Sequence, residues 1–385
     1  MSLPAPLFDP ADFRIPPGVA HVCAAGETPF LHRHDAALRR YAEDKSRGAP
    51  GRDGQEAVIR RARAAVARAW GAGADEIGFC ANVAEGVSLL VESIDWRPGD
   101  SVVLDPDEYP SLVGPLLLHR RPSIALRFAR ADDPAAMAAA VDGGTRLVAV
   151  SHVSYLNAAR HDLAALREVA DSVGALLVVD HTQAAGWAPI RADLADFAFS
   201  ACYKWMLGIT GTCVAYWNRA RQPDWAPASA GWHSLVPAAG AASGAAGILG
   251  ARPDYAAGVA LVPDAMRFAR GNPAHLSLYV LDSALDYLAG FEPAAVQAHV
   301  QALTVGLLAR LAAAGIPSIT PADPARHGAS VCIASPNAAA LVRALGERGV
   351  LAWNGRGRIR ISFHGYNGAA DVERIMAALR EVWPG

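Results

Sequence analysis

The sequence predicts an α/β protein in which a large domain on a mainly parallel sheet (residues 21–274) follows a short N-terminal segment (1–20) and precedes a smaller α+β domain (275–385). Three observations lead there. The short runs SVVLD (101–105), TRLVAVS (145–151) and GALLVVD (174–180) are apolar almost throughout, as strands covered on both faces must be. Helix-like segments alternate with them, the order expected of a parallel sheet. Past residue 275 the order becomes helix, strand, helix, strand, helix, which suits a separate α+β unit.

Along the chain, EAVIRRARAAVARAW (56–70) carries an alanine- and arginine-rich helical pattern, and EIGFCAN leads through VAEGVSLLVESI into a second helix. ADDPAAMAAAV and DLAALREVADSV are the helices between the strand runs. Ligands of such sheets sit at the carboxyl ends of the strands, and Asp105, Ser151 and Asp180 each end one of the three runs. The glycine- and alanine-rich passage 238–251 interrupts the pattern and is expected to be a mobile loop or a disordered insert. HLSLYVLDSALDYLAGF and AAVQAHVQALTVGLLARLAAAG are strongly helical; ASVCIAS, NAAALVRALGERG and GRIRISF complete the C-terminal strand, helix and strand.

Composition narrows the function. The 35 basic and 37 acidic residues give a net charge of −2, which provides no basic field for nucleic acid or an anionic membrane. No stretch of about 18 uncharged apolar residues offers a membrane span. MSLPAPLFDPADF lacks the basic start and apolar run of a secretory signal, so a cytoplasmic protein is expected. Cys23, Cys80, Cys202, Cys213 and Cys332 form no CxxC pair and no zinc spacing, and no Walker-type GKS/T loop is present.

One count points to chemistry. Only Lys45 and Lys204 are lysines; every other basic residue is arginine. Lys45 lies in the polar AEDKSRG, whereas Lys204 lies in FAFSACYKWMLG among aromatic and aliphatic side chains. An ammonium there either snorkels to water or is desolvated toward the neutral amine that bonds a carbonyl cofactor. Asp180 ends a strand ahead of it in the same segment. A carboxylate that keeps a pyridinium nitrogen protonated, together with an imine-forming lysine, is the minimal apparatus for pyridoxal chemistry.

This segment resembles the fold-type I pyridoxal-phosphate enzymes of the class V aminotransferase family, which includes kynureninase, cysteine desulfurase, selenocysteine lyase and isopenicillin N epimerase. The similarity runs roughly from residue 18 to 382. HVSYLNAARHDLAAL (152–166), CYKWMLG (202–208) and GWHSL (231–235) are kynureninase-like, and RISFHGYN (360–367) and DHTQAAG (180–186) are closer to the epimerase and desulfurase branches. The resemblance implies pyridoxal 5′-phosphate as cofactor, Lys204 as its covalent attachment and Asp180 as partner of its ring nitrogen. It implies Gln183 as donor to the phenolic oxygen and Tyr109 as the aromatic stacked on the ring. Val83 and Ala84 match backbone donors to the phosphate, with the usual threonine hydroxyl missing at Ala84. Ser200 and Tyr203 match phosphate ligands beside the lysine, Trp232 an indole ligand, and Asn272 a residue reaching in from the neighbouring subunit of a homodimer. Arg360 matches the arginine that holds the substrate α-carboxylate, a task suited to a guanidinium fork.

The resemblance also implies an amino-acid substrate and removal of its Cα proton by the freed Lys204 amine. Residues 336–359 contain no cysteine and Cys332 falls in an apolar run, which disfavours a persulfide relay. Gln183, GITG and the RISFHGYN ending weaken the kynureninase reading. Carbon–sulfur lyase or epimerase-like chemistry is therefore expected first, with kynureninase-type hydrolysis or transamination as the alternative and a catalytically silent cofactor-binding protein behind both.

Overall fold

A computed structural model describes residues 2–117, 124–237, 256 and 258–384; the 238–251 passage expected to be mobile lies outside the described residues. The strands in chain order begin with β1 (Ala20–His21), β2 (Ile77–Cys80), β3 (Ser101–Leu104), β4 (Ala125–Phe128), β5 (Thr145–Ser151), β6 (Leu176–Asp180), β7 (Phe197–Ala201) and β8 (Cys213–Trp217). Seven of them form one sheet in the order β2-β8-β7-β6-β5-β3-β4. Neighbours from β4 through β7 are parallel, while β8 is antiparallel to both β7 and β2. This is the mainly parallel sheet that the apolar runs predict.

Alternation along each strand sorts side chains into two cores. Val148, Val150, Leu177 and Val179 face one layer with Val58, Ile59 and Val66 of α2 (Ala49–Trp70), which follows α1 (His34–Ser46). Leu147, Ala149, Val178 and Phe199 face the other, with Val87, Leu90 and Val91 of α3 (Val83–Ser93). Burial on both faces is why these strands read as continuous apolar runs. The crossover helices α4 (Pro110–Leu117), α5 (Pro134–Ala140) and α6 (Leu163–Val173) return the chain between parallel strands. Asp162 starts α6 by accepting from the amides of Ala164 and Ala165, and Gly174 ends it at a φ of 71°. Asp196 is buried just before β7, where it accepts from the Leu177 amide and pairs with Arg167, fixing β7 against β6.

After the β9 (Leu235–Pro237) and β10 (Val259–Leu261) pair, the chain builds a second, antiparallel sheet from β11 (Ser330–Ala334), β13 (Trp353–Gly355) and β14 (Arg358–Ser362), with β12 (Val350–Leu351) beside it. Its core unites Leu303 and Leu307 of the helix Pro293–Ala313 with Ile333, Ile359, Ile361 and Ile375. Two placements depart from the linear reading. The helix Leu278, Leu281 and Ala284 belong to, His275–Leu288, packs with α1 and α2 in the large core, so the packing does not follow the boundary expected at residue 275. In the opposite sense, β1 pairs in parallel with β12, and the Leu7 and Phe8 amides donate to Gly365 O. Element order cannot reveal either, because both are contacts between segments distant in sequence. Among the described residues no helix is long and apolar enough to cross a membrane.

The parallel strands end together at one edge, so Asp105, Ser151, Asp180 and the residues after β7 converge there, with the start of α3 next to them. The chain after β6 is held close to Trp205 at Gly186, whose φ is +110° and where an added Cβ would lie 2.1 Å from Trp205 O. Gly186→Ala is expected to destabilise the protein by more than about 2 kcal/mol in urea unfolding, because it combines backbone strain with a backbone clash. An unchanged midpoint would show that this close approach does not constrain the fold.

Candidate active site

At that edge lies a cleft lined by Asn82, Val83, Tyr109, Ser111, Ser151, Tyr155, Asp180, Thr182, Gln183, Ala201, Tyr203 and Lys204. Lys204 follows β7 by three residues, and only 6% of it is exposed. Its Nζ stands 5.4 Å from the ring centroids of both Tyr109 and Tyr203. Burial lowers its pKa to about 8; the Arg360 charge acts in the same direction, against Asp180 and Glu27. Of the two readings open for this lysine, desolvation is the one the structure shows.

Asp180 is buried at the end of β6, in register with Ser151. Its Oδ1 accepts from the Thr182 amide at 2.8 Å. Burial pushes its carboxyl up, opposed by the Thr182 hydroxyl and amide and by the Lys204 charge. Gln183 is fixed in orientation: Oε1 accepts from Trp205 Nε1 at 3.0 Å and Nε2 donates to Ala25 O at 3.1 Å. An amide has two N–H protons, so one remains for the cleft that Gln183 lines. Tyr109 meets Tyr155 edge to face, with ring centroids 4.9 Å apart.

The anion end of the cleft is the start of α3. Asn82 Oδ1 caps the helix by accepting from the Glu85 amide at 2.9 Å. The Glu85 carboxylate folds back to accept from the Ala81 amide at 2.7 Å and pairs with Arg270, which neutralises an acid that would repel a phosphate. The first amides of a helix, here Val83 and Ala84, have no intrahelical acceptor and form an anion site. Val83 lines the cleft and Ala84 does not.

Ser200 and Trp232 do not line this cleft, and neither does Asn272, which was expected to serve the neighbouring subunit's site. Ser200 points away from the cleft; its hydroxyl donates to Ala201 O and meets Met206 Sδ at 3.7 Å. Successive residues of a strand face opposite sides, so Ala201 lines the cleft and Ser200 belongs to the other core. Trp232 packs edge to face on His233, and Asn272 accepts from Arg52 Nη1 at 3.0 Å; neither lines this chain's cleft. Arg360 is buried beside the cleft. Its Nη1 donates to Tyr155 O at 3.2 Å, and its Nε is buried without an acceptor among the described residues. Both Nη atoms of Arg358 are committed, to Gly355 O and Tyr155 O, although its Nε is also buried without an acceptor among the described residues; Arg356 is exposed over the Tyr155 ring. Arg360 therefore retains donor capacity for an incoming carboxylate.

Sequence reasoning missed the segment 23–28. Ala25 O orients Gln183, the Thr28 hydroxyl donates to Lys204 O at 3.1 Å, and the Cys23 thiol feels the Arg360 charge. No local pattern marks it, because its role depends on lying against the strand ends. Glu108, Ser151 and Tyr155 were also unassigned, although Glu108 adjoins Tyr109 and Ser151 ends a strand run.

The profile of the family described as Aminotransferase class-V matches residues 31–375. The chain belongs to this family. It is 34% identical over 185 residues to a probable cysteine desulfurase of Methanothermobacter thermautotrophicus, covering 46% of each chain. It is 28% identical over 229 residues to the kynureninase of Pseudomonas fluorescens, covering 57% of this chain and 51% of that one. The chain thus spans about half the length of these relatives. The apo cysteine desulfurase of Thermococcus onnurineus NA1 superposes with a TM-score of 0.84 at 22% identity, covering 97% of this chain and 96% of the other. The cystine C–S lyase C-DES, solved with its product cysteine persulfide, gives 0.83 at 20%, covering 96% and 99%. These two structures show that the fold is shared.

Class-V membership brings pyridoxal 5′-phosphate, which when bound supplies an aldehyde for covalent attachment and a heterocycle that draws electrons from a substrate's Cα. The residues present fit it: a desolvated lysine, a buried carboxyl in the same cleft, an aromatic wall and helix amides without intrahelical acceptors. Lys204, Asp180, Gln183, Tyr109 and Val83 are the residues that would hold it. Because a neutral amine is needed, apoprotein is expected to capture the aldehyde faster as pH rises through about 8, and Lys204→Ala to abolish capture. Stopped-flow absorbance across that range checks this; acceleration only near 10.5, the ordinary lysine value, would refute desolvation.

Proposed function

We propose that this protein is a pyridoxal-phosphate enzyme that acts at the Cα and Cβ of an amino acid, with carbon–sulfur lyase or epimerase-like chemistry as the leading reading. The observation that carries it is the Lys204 amine, buried between Tyr109 and Tyr203 in one cleft with Asp180. Lys204 anchors the cofactor and, once free, takes the substrate's Cα proton; its lowered pKa leaves a substantial neutral fraction near pH 8. Asp180 holds a proton at the ring nitrogen. Arg360 binds the α-carboxylate, which fixes the Cα bond that breaks. Tyr109 and Tyr203 shield the amine from water.

The cysteines favour direct elimination over a persulfide relay. All five are free; Cys80, Cys202, Cys213 and Cys332 are buried, and Cys332 lies opposite Arg360 in the C-terminal sheet. Cys23 is half-buried, donates to Leu351 O and is pushed up to about 11 by burial. None presents the exposed thiol that such a nucleophile needs. The second reading, kynureninase-type hydrolysis, draws on the Tyr109–Tyr155 pair, a wall suited to an aryl side chain.

The proposal includes a homodimer in the cytoplasm, where five unpaired cysteines remain reduced. Trp232 and Asn272 stand apart from their own cleft, and Trp232 packs on His233, whose Nε2 lies 3.7 Å from the Glu56 carboxylate. A second chain covering this face would bring Trp232 and Asn272 to its partner's cleft.

Purified holoprotein incubated with cysteine, cystine, kynurenine and single alanine enantiomers, with pyruvate, anthranilate and chirality monitored, tests the reading. Pyruvate from a sulfur amino acid supports elimination, anthranilate supports the second reading, and no turnover of any amino acid overturns both. Arg360→Ala is expected to raise KM for the amino acid by roughly 10- to 100-fold, the weight of a charge-assisted hydrogen bond, as steady-state kinetics would show.

A further inference from the structure

The carboxyl group of Glu108, so far without a role, lies behind the cleft wall: Glu108 does not line the cleft, but both residues that donate to it, Tyr109 and Ser151, do. Glu108 is 9% exposed and lies between the end of β3 and the start of α4. Three donors converge on it. The Ser151 amide donates to Oε1 at 2.5 Å, the Ser151 hydroxyl to Oε2 at 2.6 Å, and the Tyr109 amide to Oε2 at 3.1 Å. No basic side chain forms an ion pair with it among the described residues. Two of the donors belong to Ser151, which ends β5 in register with Asp180 on β6. The third belongs to Tyr109, whose ring faces the Lys204 amine.

A buried carboxyl with no cationic partner is costly to retain unless its hydrogen bonds offset desolvation. Here each bond crosses from the 105–110 loop to a strand end or fixes the backbone that carries Tyr109. We propose that Glu108 is a positioning residue of the cofactor site: it clamps the loop to the end of β5 and so sets the Tyr109 ring over the space between Lys204 and Asp180. This rests on the reading that the cleft holds pyridoxal phosphate.

Burial raises the Glu108 pKa to about 7, against the Ser151 and Tyr109 donors, with the Asp180 charge acting alongside burial. Either protonation state keeps acceptor oxygens for Ser151, so the clamp does not depend on the charge. Alanine removes all three acceptors. Glutamine retains one oxygen, and its NH2 can donate to the Ser151 hydroxyl after that hydroxyl rotates.

The test measures pyridoxal phosphate affinity by fluorescence titration of apoprotein, the visible circular dichroism of the bound cofactor and the thermal unfolding of the apo form. Glu108→Ala is expected to weaken affinity at least tenfold and reduce the visible dichroism, and Glu108→Gln to recover part of both. In a Tyr109→Ala background, the further change from Glu108→Ala should shrink to less than about twofold, because residues that act through one contact are not additive. Wild-type affinity and dichroism in Glu108→Ala would overturn the inference, as would equal losses in both backgrounds. If Glu108→Ala fails to fold, Glu108→Leu, close in size and without any acceptor oxygen, supplies the same test, with wild-type dichroism again overturning it. Failure of the wild-type protein to bind pyridoxal phosphate would instead overturn the functional reading, so the two failures are distinguishable.

Discussion

The desolvation of one ammonium group governs this site. Lys204 is placed where water cannot fully solvate its charge, and Arg360 is close enough to disfavour that charge further. The β-strand ends, the aromatic rings and the segment 23–28 all bear on that environment. Asp180 and Glu27 act in the opposite sense, which keeps the amine's pKa at about 8 rather than lower. Under the proposed function, a lysine in this balance would serve both as an anchor for a carbonyl and as a proton acceptor.

Polar groups around the lysine are oriented by partners outside the cleft. Trp205 and Ala25 together determine which end of the Gln183 amide is free. Arg358 and Arg360 converge on the Tyr155 carbonyl, tying the C-terminal sheet to the loop after β5. Glu85 is folded back onto the Ala81 amide and paired with Arg270. Each relation joins segments far apart in sequence, so the site's precision comes from packing between the two sheets and the N-terminal segment.

Much of this was legible beforehand for a physical reason. Strands buried on both faces must be apolar, so β3, β5 and β6 announce themselves, and their polar end residues mark the ligand edge. Lysine scarcity separates Lys204 from ordinary surface charges, and its apolar flanks signal burial. Ser200 shows the limit of such reading: a shift of one residue along β7 exchanges the cleft for the opposite core, and only strand register decides between Ser200 and Ala201. The helix His275–Leu288 shows another, since amphipathic pattern reports that a face is buried but not against what.

By itself, the sequence determined the α/β class, the identities of the buried lysine and the strand-end acid, and the lack of a cysteine shortly before Arg360, because these depend on residue type and local pattern. Tertiary structure alone decided that Ala201 rather than Ser200 faces the cleft, that residues 23–28 form part of the site, and that Glu108 reaches Ser151. Those outcomes depend on which distant segments meet and on which side of a strand each side chain emerges, and neither is encoded by any short stretch of the chain.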